Sequence, residues 1–336
     1  MYMFKYVMKR IGLMLLSFSV IMLMCFVLIK LLPIVVEGAN GQDTNKLYFK
    51  LQSYGYIENL RYDGSGNVIA FDNVPIMRQL ILYLRRIFLD GDFGLGITMP
   101  SYRNQPVLDV FMTRLPPTIL INIYSSLIGV PIGLGLGIFA ALKKNKWQDQ
   151  IISILVILLI SVPSIVYALL IKYVFCFKLA WFPQLIEPGT DYFSWAMFKS
   201  MLPAVFSLCL GSIASYARFT RAELTEVLTS EFMLLARTKG LTRGQATIRH
   251  ALRNSMVPIF PSILSEFIAV LSGSLIIESM FSIPGVGRLY LDSINYKDYD
   301  FFMLLSGFYT LVGLAAGIVV DISYGFIDPR IRMGAK

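Results

Sequence analysis

Apolar residues dominate six windows of the chain, roughly 11–32, 116–142, 150–174, 200–218, 258–282 and 302–326, each long enough to cross a ~30 Å hydrocarbon core as a helix rising 1.5 Å per residue. The pattern predicts an all-α membrane protein with six transmembrane helices. Between the first two windows lies a polar stretch too long for a simple connection, which predicts a small subdomain. Within it Tyr62 to Asn67 reads as a hairpin-like turn, and Met77 to Phe88 reads as an amphipathic helix with Leu80, Leu84 and Phe88 in register, suited to a membrane surface. The organisation expected is therefore 1–32 as amino terminus and first span, 33–115 as a long external loop, and 116–336 as a five-helix core.

A second polar island, 219–257, separates the fourth and fifth windows. Ser230 is placed to cap a short helix whose first turn holds Glu231, and Gly240 to end it at positive φ. Thr242 and Gln245 have the spacing of a capping box for the next helix. On the first of these helices Phe232, Leu235 and Ala236 fall on one face, an apolar knob in a segment that is otherwise wet. Such a knob implies a covering partner.

Composition agrees with the pattern and narrows the function. With 56% hydrophobic and 15% charged residues the chain is too apolar for an ordinary soluble domain. The net charge of +9 resides in short clusters beside the spans: Lys5, Lys9 and Arg10; Lys143, Lys144 and Lys146; seven basic residues from Arg218 to Arg253; and Arg330, Arg332 and Lys336. With six spans all four clusters fall on one side, which predicts cytoplasmic termini and orientation by charge, with membrane lipid and no nucleic acid as partner. The first span follows basic residues as a signal peptide does, but it is too long for a signal core and is read as retained. Cys25, Cys176 and Cys209 are isolated and predict neither disulfide nor metal site. No reactive cluster and no phosphate-cradling Gly-x-x-x-x-Gly-Lys-Ser/Thr run occurs, so the chain reads as neither an enzyme nor its own ATP engine, with no cofactor bound.

Inside the spans, Gly129, Gly133 and Gly137, and again Gly313 and Gly317, form stripes that let helices approach closely. Pro131 and Pro163 are expected to kink theirs. Lys30 and Lys172 lie near span ends and are expected to snorkel, while Glu266, Glu278 and Asp321 are intramembrane carboxylates. Glu278 is either a structural hydrogen-bonding group for the turn at Pro284, Gly285 and Gly287 or part of a gate with them. Asn122, Ser126, Ser164, Tyr167, Ser212, Ser272 and Ser274, with Ser125 and Ser215, either line an uncharged polar passage or bond between helices.

The basic island resembles the cytoplasmic coupling loop of permease subunits of bacterial ABC-type importers. Glu231 matches the start of that family's Glu-Ala-Ala motif, Ala236 and Gly240 its later small residues, and Arg249 to Asn254 with Pro258 the branch importing di- and oligopeptides; Phe232 and Met233 replace the alanines. Ser161 to Ser164, Phe281 to Gly287, Gly91 to Gly94 and Asp328 to Arg332 extend the resemblance along nearly the whole chain, whereas Pro33 to Val36 depart from the family's usual Pro-Gly-Asp-Pro. The resemblance implies a multi-pass permease of a bacterial inner membrane that pairs with a second homologous permease, two nucleotide-binding subunits holding ATP and Mg, and an external binding protein. Coupling to those subunits would fall to Glu231, Phe232, Leu235, Ala236, Gly240 and Leu241. Peptide import is the primary expectation, with nickel chelates, glutathione or another small solute as the alternative cargo within the family. A proton-coupled secondary transporter is the rival class, and it would need a carboxylate or histidine relay and internal repeats that the sequence does not display.

Overall fold

The computed structural model describes residues 2–32, 41–189 and 191–327. Pro33 to Val36, the Asp328 to Arg332 motif and Lys336 lie outside them. Five helices are long and apolar enough to cross a membrane, Tyr6–Leu31, Val107–Leu142, Trp195–Leu228, Arg243–Ser272 and Tyr299–Gly325, and a bent pair, Trp147–Ser161 with Ser164–Lys178, makes a sixth span if counted as one. By their packing the described residues group into two compact units, those within 1–115 and 288–311 and those within 116–287 and 312–336.

The first unit contains α1 (Tyr2–Leu31), α2 (Gly41–Ser53), strands β1 (Ile57–Tyr62) and β2 (Val68–Asn73), and α3 (Ile76–Asp90). The turn expected at Tyr62 to Asn67 forms. Asp63 folds back to accept from the amides of Ser65 and Asn67 at 2.9 and 2.8 Å, Gly66 takes φ +80°, and the strands pair antiparallel with Tyr62 opposite Val68. The core joins Phe26 and Ile29 of α1 to Leu47, Leu51, Tyr56, Ile57 and Tyr83, together with Tyr299 and Met303.

Within that core sits an ionic cluster. The Asp300 carboxylate, 1% exposed, accepts from the Tyr56 hydroxyl at 2.5 Å and pairs with Arg86 at 2.7 Å. Asp298 accepts from the backbone amides of Ile97, Thr98 and Met99 at 2.8, 2.8 and 3.2 Å. Burial together with the neighbouring Asp300 pushes the Asp298 carboxyl above its usual range, against those three donors. Burial disfavours the Arg86 charge, yet the Asp300 carboxylate holds the guanidinium above the usual arginine range. Lys30 does not snorkel as the sequence predicts: its ammonium lies 3.2 Å from the Tyr56 ring centre and 3.6 Å from that of Tyr299, a position where cation–π attraction replaces water.

The second unit is built on the remainder of α4 (Val107–Leu142), then α5 (Trp147–Ser161), α6 (Ser164–Ile171), α7 (Trp195–Leu228), α8 (Glu231–Thr238), α9 (Arg243–Ala246), α10 (Leu252–Ala269) and α11 (Leu275–Met280). The chain then runs through α12 (Val286–Asn295) into α13 (Tyr299–Ile327). Two windows are broken, the third at the proline expected to kink it and the fifth where no break is expected. At Pro163 the preceding Val162 is extended, because proline disfavours helical backbone before it, and the two halves of the third span bend by 100°. The fifth ends at Ser272, where Gly273 takes φ +67°. Pro131, by contrast, lies inside a helix that stays continuous from Val107 to Leu142.

The glycine stripe of α4 packs on α7 as expected. A Cβ at Gly129 would lie 3.2 Å from the Cys209 carbonyl oxygen, at Gly133 2.9 Å from that of Ile213, and at Gly137 2.7 Å from that of Ala217. Gly313 and Gly317 differ, since a Cβ at either meets nothing within 4 Å among the described residues. Lys172 also departs from expectation: its ammonium donates to the Met280 carbonyl.

Removing one partner of the Arg86–Asp300 pair leaves a buried charge unpaired, a change that typically costs about 3–5 kcal/mol. Arg86→Met should therefore lower the thermal midpoint of the detergent-purified protein by several degrees, and adding Asp300→Asn should restore part of the loss. Strict additivity of the two substitutions would show that the pair is not energetically coupled.

Candidate functional site

Three groups of residues, all in the second unit, carry the features the sequence singled out. The first is the basic island. The Thr242–Gln245 capping box is present with both of its hydrogen bonds, at 3.1 and 3.3 Å, and Gly240 takes φ +92°. Ser230 does not cap α8 as expected. Its hydroxyl donates instead to the Val227 carbonyl at 2.6 Å, satisfying the end of α7 rather than the start of α8.

The face of α8 divides differently from the prediction. Ala236 is buried, together with Met233, against Ala141, Leu224, Ala246 and Ala251, with Leu241 packed at the edge. Phe232 and Leu235 remain 41% and 56% exposed, and Leu234 and Glu231 are exposed beside them. The helix is thus fixed to the bundle by its small and flexible residues and presents its large ones outward. Behind it, α7 runs ten residues past the expected end of the fourth span, from 218 to 228, and Arg221 pairs through Nη2 with Asp149 at 2.8 Å, joining α7 to the first turn of α5. Nothing in the local sequence distinguished Arg221 from the other basic residues of the island.

The second group surrounds Glu278, which is fully buried. One carboxylate oxygen accepts from the Thr118 hydroxyl at 3.0 Å and from the Ser274 amide at 3.4 Å, and the other from the Gly287 amide at 2.8 Å. Thr118 in turn accepts from the Val286 amide at 2.8 Å. Glycines at 273 and 285 are obligatory here, because a Cβ at either would collide with the Glu278 carboxylate and with Thr118. Of the residues marked as a gate, Glu278, Gly285 and Gly287 come together and Pro284 lies in the same turn. Thr118 was not foreseen: a threonine 160 positions from its partner leaves no sequence signal.

The third group is a pair of cavities. Asn122, Ser125, Ser126, Ser212 and Ser274 line one of about 190 Å³, together with Glu266. Ser215 lines another, of about 520 Å³, with Ser262, Ser265, Tyr324 and again Glu266. Ser164 and Tyr167 lie on α6, and Ser272 ends the turn after α10; none of the three lines either cavity. The sequence predicts an uncharged passage, yet of the two residues common to both cavities, Glu266 and Ala269, one is a carboxylate. Among the described residues no cluster of His, Cys, Asp or Glu has the makings of a metal site.

Comparison with known proteins follows this geometry. Over 98% of this chain and the whole of its relative, the sequence is 31% identical to the dipeptide transport system permease protein DppB of Lactococcus lactis subsp. cremoris. It is 30% identical to DppB of Bacillus subtilis over 99% of both chains. The glutathione transport system permease protein GsiC of Escherichia coli K12 is 34% identical over 77% of this chain and 80% of its own length. Residues 133–333, which include α8, the Glu278 turn and both carboxylate-lined cavities' α10 wall, match the family of binding-protein-dependent transport system inner membrane components, and the chain belongs to that family.

Proposed function

We propose that this protein is the permease subunit of an ATP-driven importer of di- or oligopeptides, forming half of a translocation pathway with a second permease. The observation that carries the reading is α8, whose Met233 and Ala236 anchor it to the bundle while Phe232 and Leu235 face outward, left exposed by the described residues. An exposed apolar pair on a helix so fixed suits a groove on a nucleotide-binding subunit, which would push on α7 through Leu224 and on α4 through Ala141. Near full-length likeness to two dipeptide permeases supports peptides as cargo, and the likeness to a glutathione permease keeps a small γ-linked peptide within the same class. An external binding protein would deliver the cargo and ATP would act on the partner subunits. Both termini and the island at 219–257 would lie in the cytoplasm, a placement the basic clusters support.

The Glu278 turn suits a latch. Thr118 near the outset of the second span and the amides after α11 are held by one carboxylate, so separating them would release all its bonds together. Two packings of that turn would give the bundle two discrete states, whose balance nucleotide and cargo would bias reciprocally.

Burying Phe232 or Leu235 in a partner groove should each contribute ~1.5–3 kcal/mol, or about 10- to 100-fold in affinity. Leu235→Asp is therefore expected to leave the permease in the membrane while lowering co-purification of the nucleotide-binding subunits and cargo-stimulated ATPase activity. Gly240→Val should act similarly through the backbone alone, since a Cβ there meets nothing within 4 Å but φ +92° strains a β-branched residue. Unimpaired transport by both variants would sink the coupling role. For the latch, Gly285→Ala should reduce uptake at least tenfold while ATP hydrolysis persists, measured on the reconstituted transporter. Orientation is checked with single cysteines in a chain lacking Cys25, Cys176 and Cys209: Ser65→Cys should react with an impermeant thiol reagent on intact cells, whereas Lys144→Cys and Arg243→Cys should not.

A further inference from the structure

Of the two residues that line both of the cavities described above, Glu266 and Ala269, Glu266 alone carries an ionisable group. It lies within the span Arg243–Ser272, where an ionised side chain is costly unless it faces water or a counter-charge. Its surroundings differ from those of Glu278. Glu278 is saturated by donors, whereas Glu266 accepts one hydrogen bond, from the Ser212 hydroxyl at 2.6 Å, to a single oxygen. The second oxygen retains its acceptor capacity, and no ion pair reaches it among the described residues. The remaining polar lining is neutral: Asn122, Ser215, Ser262 and Ser265 offer hydroxyl and amide groups suited to any peptide backbone. The larger cavity, about 520 Å³, is within the usual range for a small-molecule site.

We infer that Glu266 is the charged element of a transit subsite in the permease, one that receives the ammonium group of a peptide cargo while the neutral hydroxyls around it accommodate the chain. This rests on the peptide-import reading above. An amino terminus is common to unmodified peptides of every sequence, so a lone carboxylate amid neutral groups favours that end without selecting side chains. The passage is then polar but not indifferent to charge. A peptide carboxylate is repelled from this point, and the amino end is the one held there.

The test uses the transporter assembled with its partner subunits, in a permease lacking its three native cysteines and carrying Ser262→Cys in the larger cavity. The relative rates of modification by a cationic trimethylammonium-ethyl and an anionic sulfonatoethyl methanethiosulfonate report the local charge. Glu266→Gln, which keeps an acceptor for Ser212, should lower the cation-to-anion ratio about tenfold, and Glu266→Asp should largely preserve it. A ratio that does not change with Glu266→Gln overturns the subsite and leaves peptide import standing. So does a wild-type ratio near that of a free thiol, which would mean that a basic residue of the second permease neutralises the carboxylate.

Protection against N-ethylmaleimide then tests the cargo. Trialanine should slow modification of the cysteine with Glu266 present and not with Gln, while N-acetyl-trialanine should protect neither. An N-acetylated peptide containing lysine separates a side-chain ammonium from an amino terminus: protection by it equal to that by trialanine assigns the subsite to ammonium groups in general and overturns preference for the terminus. If the charge ratio responds to Glu266→Gln but no peptide of any kind protects, the peptide reading itself fails, and the ammonium assignment with it.

Discussion

A backbone amide that leaves a helix inside a membrane meets no water in the lipid, so a break in a span must be closed by protein or open onto a water-filled cavity. Most of the second unit's architecture follows from how this chain meets that requirement after its fifth span. The break at Gly273 and the turn that follows α11 free several amides in a short distance, and Glu278 with Thr118 collects those of Ser274, Val286 and Gly287. The carboxylate is buried because it serves that turn, and the glycines at 273 and 285 are there because the carboxylate occupies the space their side chains would fill. One acidic residue thus fixes where the fifth span ends, where the next helix begins and how closely both lie to the second span. At the break at Pro163 the proline itself adds no amide to satisfy, and its carbonyl accepts from the Val166 amide at 2.9 Å.

The first unit handles burial in another way. Its charges are gathered rather than spread: Asp300 pairs with Arg86 and Tyr56, Asp298 is closed by three amides, and Lys30 stands against two aromatic faces. Such a cluster contributes less to stability than an apolar core of the same volume, but it permits few alternative packings, because each misplaced charge is left unpaired. The amphipathic α3 and the hairpin also meet α1 through apolar side chains, Tyr83, Leu80 and Ile57 packing into the core that holds Phe26 and Ile29.

Periodic and local features were legible in the sequence. The apolar windows, the turn at Asp63, the amphipathic α3, the Thr242 capping box, the positive φ of Gly240 and the close approach along Gly129, Gly133 and Gly137 each depend on residues a few positions apart. What escaped depends on distant partners. Lys30 looked like a snorkelling residue because its aromatic partners lie 26 and 269 positions away, and Arg221 looked like one more loop cation because Asp149 is 72 positions distant. Ser230 shows the limit even for local rules: the same hydroxyl can serve the helix before it or the one after, and here the α7 carbonyl takes it. Ala236 was assigned to the outward face from spacing alone, but an eight-residue helix lying on a bundle has its inner side chosen by the neighbours it touches.

The length of α7 has a mechanical consequence. From Trp195 to Leu228 it is a single helix of 34 residues, about 50 Å at 1.5 Å per residue. Its seam with α4 is close-packed along Gly129, Gly133 and Gly137, and Leu224 near its carboxyl end lies against Met233 and Ala236 of α8. Such a helix behaves as a stiff lever rather than a spring. A tilt of a few degrees imposed at the α8 end would displace the far end by several ångströms, on the order of the radius of a helix backbone, with no bond rotation needed along the way.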